Sequence, residues 1–142
     1  MVRRDDWEAR LGRFIADNRA RPFEWGQHDC ILMACAAVEA MTGFDAAKAY
    51  RGQYTDRAGS AKALRELGEG TLLKTVDAVF KRKPPSFAQR GDLVWFAGSV
   101  GVCMGAQGLF VGEERLADKA GLTMREGLIA IPRRDFVKAW AV

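Results

Sequence analysis

The sequence predicts an α+β domain in which N-terminal helices pack on a C-terminal antiparallel sheet. Through the first part of the chain, up to about residue 83, apolar residues recur at helical spacing. Beyond that point, short apolar runs are separated by glycines, which is typical of strands joined by hairpins. An α+β domain is expected to have this order, with helices first and strands second along the chain.

The length and composition predict one soluble globular domain over residues 1–142. A chain of 142 residues can bury one real core and is short for two. Its hydrophobic content of 49% and charged content of 28% are ordinary for such a domain. No internal repeat or low-complexity segment interrupts it.

The first two predicted helices have clear boundaries. Residues 5–20 form an amphipathic pattern that ends at Pro22. The second helix spans Asp29–Thr42, with Asp29 as its N-cap and Gly43 just past its end. Because Glu39 is its only charged residue after the cap, this helix is expected to be buried nearly all round.

Three further helical segments are predicted before the strands begin. They are a short helix around Ala46–Tyr50, a helix over Ser60–Leu67, and a helix over residues 71–83 with Leu72, Leu73, Val76, Val79 and Phe80 facing inward. The cationic run "KRK" is interpreted as the solvated end of the last of these, where positive charge complements the helix dipole. A nucleic-acid patch is the alternative for this run.

Four strands follow, in "GDLVWFAG", "SVGVCMGA", "GLFVGEERLA" and "GLIAIP". The C-terminal "RRDFVKAW" is expected to form a last helical turn.

The charge pattern argues against nucleic-acid and membrane partners. The net charge of +4 is small, and lysines and arginines are interleaved with acids. The first ten residues lack the apolar core of a signal peptide, and no uncharged run is long enough to span a membrane. Three cysteines without framework spacing predict free thiols in a reducing compartment.

Cys30 is the candidate nucleophile. It follows the N-cap Asp29, so it would lie in the first helical turn, where unpaired amides and the dipole favour a thiolate. A thiolate is the form of cysteine that attacks carbonyl carbons. The alternative is that Cys30 is a small buried apolar residue, as most free cysteines are.

Three motifs in order carry a resemblance to a known family. "WGQHDC" opens the apolar helix, "RGDLVWF" follows some sixty residues later, and "VGVCMG…LFVG" comes next. Together they resemble the NlpC-type cell-wall cysteine peptidases, small papain-like enzymes that cleave peptide bonds in peptidoglycan. The segment "TGFDAAKAYRGQYTDRAGSAKAL" is more similar to short phage and prophage proteins encoded among tail-tip genes.

The resemblance supplies a nucleophile but not its base. Cys30 matches the family nucleophile, whereas the catalytic histidine that should open "HVGI" is replaced by Ser99 in "SVGV". Where a third polar residue should follow, the chain has Val111 and Gly112, and neither can orient an imidazole. The family triad is therefore reduced to its cysteine.

His28, the only histidine, is a candidate substitute base. It lies two residues before Cys30, and positions so spaced at a helix start do not generally face each other. The alternative is a loop residue with hydrogen bonds of its own. No cofactor or metal site is expected, because one histidine and two cysteines five apart on a helix do not form a zinc site.

The resemblance implies a structural role in a phage or prophage tail tip on a degenerate peptidase scaffold. The expected partners are the baseplate hub and the distal tail protein, with peptidoglycan as a further possibility. The expected location is the virion tail, after synthesis in the host cytoplasm. Two alternatives stay open: an active peptidoglycan peptidase or amidase that uses Cys30, and a peptide- or glycan-binding module that uses the old cleft.

Overall fold

A computed structural model describes residues 1–142, except for the side chain of Asp118. It confirms the α+β class, with the helices first and an antiparallel sheet second. The helices are α1 (Trp7–Asn18), α2 (Cys30–Thr42), α3 (Arg57–Leu67) and α4 (Leu72–Val79). The strands are β1 (Lys81–Lys83), β2 (Leu93–Phe96), β3 (Ser99–Cys103), β4 (Gln107–Asp118), β5 (Gly121–Pro132) and β6 (Lys138–Ala141).

The boundaries of α2 are those that the sequence predicts. The side chain of Asp29 accepts a hydrogen bond from the Leu32 amide at 3.0 Å, which caps the first turn. Gly43 ends the helix in the left-handed region, with φ of 80°, and its amide donates to the Glu39 carbonyl. The first helical residue is therefore Cys30.

The strands form one sheet in the order β1-β6-β2-β3-β4-β5, and every neighbouring pair is antiparallel. Helices α1 and α2 pack against one face. The core on that face is made of buried residues from both helices and from alternate positions of the strands, namely Leu11, Ile15, Met33, Ala37, Val38, Met41, Leu93, Val100, Val102, Leu109, Leu128 and Trp140. A smaller cluster covers the other face and includes Val94, Cys103, Phe110 and Phe136.

The segment Ala46–Tyr50 is a series of turns and not the predicted helix. The hydrogen bond from the Arg51 amide to the Ala47 carbonyl gives one helical turn that does not propagate. The next helix starts earlier than predicted, at Arg57, because Asp56 supplies the cap through its bond to the Gly59 amide.

The cationic run at Lys81–Lys83 is a strand, so its interpretation as a helix end is wrong. Helix α4 ends at Val79, which is exposed and not inward-facing, and Phe80 adopts extended backbone angles. The run then pairs with β6, with Lys81 opposite Ala141. This tertiary pairing overrides the local helical pattern.

The predicted C-terminal helical turn is also wrong over most of its length. Residues Arg133–Asp135 form a short 3₁₀ turn, and the chain continues as β6 between β1 and β2. Strand pairing wins here because it buries Trp140 completely, with its Nε1 donating to Asp77 at 2.8 Å.

Strands β4 and β5 form a long two-stranded ribbon. They pair along their whole length, from Gln107 opposite Pro132 to Asp118 opposite Gly121. Strand β3 pairs with β4 only at its inner end, at Gly108 and Leu109, so the outer ribbon extends beyond the sheet. In the described part of the chain, no helix has the length and apolar character needed to cross a membrane.

Candidate functional site

Cys30 lines a large cavity beside the N-terminus of α2. The cavity has a volume of about 610 Å³ and is walled by α2, α3, α4 and the turn before β3. Cys30 is half-buried and is the first residue of its helix. The sequence therefore placed this thiol correctly with respect to the helix terminus.

Ser99 lies in the same cavity wall, as the first residue of β3. The turn before it consists of Ala97 and Gly98, with φ of 51° and 76°. Two consecutive positive φ values are typical of a tight hairpin turn, and this turn brings the start of β3 against the start of α2. The hydroxyl of Ser99 is close enough to Cys30 to influence its pKa.

The pKa of the Cys30 thiol is raised above its ordinary value. Burial is the largest cause, because a thiolate loses its hydration there, and the carboxylate of Asp29 acts in the same direction. The backbone amide of Val100 and the hydroxyl of Ser99 act against it, since both can donate to a thiolate, but they do not reverse the shift. Cys30 is therefore a neutral thiol at neutral pH.

Asp29 is occupied by structural hydrogen bonds. It is buried, and its carboxylate accepts from the amides of Leu32 and Gly26 and from the hydroxyl of Tyr54. Burial and this bond to Asp29 raise the pKa of Tyr54. The pair therefore fixes the approach to α2 and does not offer a free base to Cys30.

His28 is buried, with 1% of its surface exposed, and does not line the Cys30 cavity. Its backbone forms an isolated bridge with Glu24. Among the described residues, its Nε2 atom has no hydrogen-bond partner. Burial, helped by the positive charge of Arg21, lowers the pKa of His28 to about 4, so the imidazole is neutral and weakly basic.

The positions where the resemblance would place a third catalytic residue lie on β4. Val111 is buried in the core, and Gly112 has no side chain. Of the three candidate residues from the sequence, the structure brings Cys30 and Ser99 together and leaves His28 outside the cavity.

Asp92 of the "GDLVWF" motif is a structural centre. Its carboxylate is buried and receives the side chains of Arg3 at 3.2 Å and Lys83 at 2.6 Å. It also accepts from the backbone amides of Gln89 and Val142. This one carboxylate therefore ties both ends of the chain to the start of β2.

The cavity walls beyond Cys30 are mostly apolar, and the sequence alone does not predict most of them. Phe23 and Trp25, which precede α2, line the cavity and pack edge to face with ring centroids 4.8 Å apart. The opposite wall comes from α3 and α4, through Ala61, Leu64 and other apolar residues. The inward-facing pattern of Leu72, Val76 and Phe80 indicates the α4 part of this wall in the sequence.

The described residues hold no group of three or more histidine, cysteine or acidic side chains arranged to bind a metal ion. Cys35 also borders the cavity, and burial raises the pKa of its thiol to about 12. Cys103 is buried in the cluster on the other sheet face.

Comparison with known proteins gives one match. The family model described as "Domain of unknown function (DUF6950)" matches residues 2–142. No curated protein and no solved structure matches the chain.

Proposed function

This chain belongs to the DUF6950 family, and from that premise we propose that it is a non-hydrolytic structural component of a phage or prophage tail tip. In this proposal it keeps a scaffold similar to that of the NlpC-type peptidases and has lost their catalytic machinery. In this proposal, a molecule bound in the cleft at Cys30 is held there and is not hydrolysed.

The observation that carries the proposal is a cysteine that lacks a base. Cys30 lies in a cavity at a helix N-terminus, but its neighbour there is the neutral hydroxyl of Ser99. General acid–base catalysis typically contributes about a hundredfold to ten-thousandfold to such reactions. A thiol with a raised pKa and no proton acceptor is a poor nucleophile. Among the described residues that line the cavity, we identify no acid placed to protonate a leaving amine.

The scaffold assignment is supported by the arrangement of the three motifs. The cysteine begins a buried helix, the "GDLVWF" strand lies in the sheet under that helix, and the "SVGV" strand begins beside the cysteine. These are the relative positions that a papain-like nucleophile and its partner strand would need.

The tail-tip role and its partners rest on the resemblance of the segment after α2. The proposed contacts are the baseplate hub and the distal tail protein, in the virion tail. The outer ribbon of β4 and β5 offers a surface for such contacts, because Leu122 and Met124 are exposed there, at 73% and 54%. Both residues lie on β5, two positions apart, so the alternation of side chains along a strand places them on one ribbon face.

The first test is hydrolysis. Purified wild type, Cys30→Ala and Ser99→His are incubated with soluble muropeptides, and products are separated by chromatography. We expect no cleavage by wild type and at most weak cleavage by Ser99→His, because Val111 and Gly112 cannot orient the new imidazole. Robust cleavage by wild type that disappears in Cys30→Ala would overturn the proposal in favour of an active peptidase or amidase.

The second test is assembly. A phage that encodes this chain is propagated with the gene deleted or carrying Cys30→Ala, and infectious particles are counted. We expect the deletion to abolish infectious particles, because a component of the tail tip is missing. Cys30→Ala should leave the titre nearly unchanged. A deletion that leaves intact, infectious tails would rule out the structural role.

A further inference from the structure

The Cys30 cavity has the properties of a ligand site for an apolar molecule. Its volume of about 610 Å³ lies in the range of small-molecule pockets, roughly 300 to 1,000 Å³. Protein interiors are otherwise closely packed, with few voids larger than a water molecule. Because most of its wall is aliphatic or aromatic, water inside would find few hydrogen-bond partners.

Two charged side chains line this cavity, and they differ in what they can offer a ligand. The carboxylate of Asp29 is already engaged by Gly26, Leu32 and Tyr54. Arg57 is exposed, and among the described residues it forms no ion pair. The charge available to a ligand is therefore positive.

Arg57 is the first residue of α3 and follows the N-cap Asp56, whose carboxylate accepts a hydrogen bond from the Gly59 amide. The helix terminus is therefore already capped, and the favourable contact for a ligand anion at this side of the cavity is the guanidinium of Arg57. Other parts of the cavity wall are apolar, with Leu64 of α3 and Leu72 and Val76 of α4.

We propose that the cavity binds an aliphatic carboxylate, a molecule of the fatty-acid class, with its chain among α2, α3 and α4 and its carboxylate at Arg57. The inference rests on the proposed function in one respect: the ligand is held beside the Cys30 thiol and is not turned over. The zwitterionic, polar stem peptides of peptidoglycan match this wall poorly, because their amides would lose hydration without gaining partners.

The test compares three probes with the same alkyl chain by isothermal titration calorimetry: dodecanoate, dodecanol and dodecylamine. The two ionic probes are kept below their micellar concentrations, and dodecanol is kept below its solubility limit. For wild type we expect saturable binding of dodecanoate at one site and roughly fivefold weaker binding of dodecanol, the effect of one exposed ion pair. Dodecylamine should bind most weakly. Absence of saturable dodecanoate binding, or equal affinity for the amine, would overturn the proposal.

Variants locate the site. Arg57→Gln should lower dodecanoate affinity to that of dodecanol and leave dodecanol binding unchanged, whereas the matched control Arg65→Gln, on an exposed position of the same helix outside the cavity, should change neither. Ala61→Phe should weaken both probes by filling the cavity. Unchanged binding in folded Ala61→Phe, or equal losses in Arg57→Gln and Arg65→Gln, would contradict the placement.

If circular dichroism shows that Ala61→Phe does not fold, Leu64→Trp is used in its place. The ligand class itself is decided by the three probes on wild type and needs no variant. The outcome is independent of the hydrolysis test. Dodecanoate binding together with muropeptide cleavage would refute the non-hydrolytic function and keep the ligand class. Absence of both dodecanoate binding and cleavage would refute the ligand class and keep the non-hydrolytic function.

Discussion

At the scale of single residues, the chemistry around α2 is governed by burial. Cys30 and His28 are two residues apart, and burial favours the neutral form of both side chains. It raises the pKa of the thiol and lowers the pKa of the imidazole. In a catalytic pair, the pKa of the thiol would need to be lowered, so that the thiolate forms near neutral pH. The missing base and the raised pKa therefore point to the same inert thiol.

His28 should make folding stability depend on pH. Its pKa is about 4 in the folded chain and 6.5 when unperturbed, so the unfolded chain takes up the proton first as the pH falls. The stabilisation is complete above pH 6.5 and is lost as the pH drops toward 4, by up to about 3 kcal/mol. Urea unfolding at several pH values measures it.

The control for this prediction is His28→Gln. The other titrating groups contribute the same pH dependence of stability to this variant as to wild type, so the difference between the two proteins isolates His28. The difference in free energy of unfolding between wild type and His28→Gln should change across pH 4 to 6.5 and be constant above it. A difference that is constant throughout would show that the folded imidazole titrates normally.

Residue roles set by neighbours in sequence could be predicted, and roles set by distant partners could not. The capping of α2 by Asp29 needs only the amide three residues on, and the sequence predicts it. The role of Asp92 depends on Arg3 and Val142, which approach it only after the whole sheet has formed. The same holds for Tyr54, which meets Asp29 across the turn region.

At the scale of elements, the turn between β2 and β3 is the device that positions Ser99. Ala97 holds a φ of 51°, a conformation that costs an ordinary side chain about 1 kcal/mol or more. Asparagine tolerates this region better and is favoured in such turns. The Ala–Gly turn therefore leaves room for stabilisation at an exposed position.

Ala97→Asn should raise the free energy of unfolding by about 0.5 to 1 kcal/mol. Gly98→Ala should lower it by about 1 kcal/mol, because φ there is 76°. A Cβ at Gly98 would meet no atom within 4 Å, so only backbone conformation is tested. Urea titrations of both variants provide the measurement, and changes of the same sign would contradict this account of the turn.

Elements whose pattern was strong and local could be predicted, whereas pairing across the sheet could not. Helices α1 and α2, strands β2 to β4 and the inner half of β5 follow their periodicity and glycine punctuation, whereas residues 121–126 of β5 lie outside the predicted strand. The sequence predicts helical structure where β1 and β6 lie, because Lys81–Lys83 and Lys138–Ala141 carry no strand signature. They are strands because each completes a ladder with the other.

At the scale of the whole molecule, the fold separates into a packed body and a projecting ribbon. The body contains the Cys30 cavity and the core between α2 and the sheet. The outer parts of β4 and β5 are exposed on most positions, with the ion pair between Glu114 and Arg125 on the surface. The site should therefore not depend on the outer ribbon.

The outer ribbon should be removable without loss of the body. Replacing residues 114–125 by Asn-Gly joins Glu113 to Glu126, which are already opposite each other, through a two-residue hairpin turn. We expect the free energy of unfolding to change by no more than about 1 kcal/mol, because an exposed two-stranded ribbon adds little stability. Dodecanoate binding should be unchanged.

The contrasting variant is Gly101→Ala, a single methyl group inside the body. A Cβ at Gly101 would crowd the Leu109 carbonyl and the Phe110 ring, which lie against it in the sheet. We expect this change to destabilise the chain by about 1 to 3 kcal/mol, more than removal of the whole outer ribbon. Both variants are compared with wild type by urea unfolding and calorimetry. If the shortened ribbon unfolds the chain or abolishes dodecanoate binding while Gly101→Ala is tolerated, the ribbon is part of the folding core, and the division into body and projection is wrong.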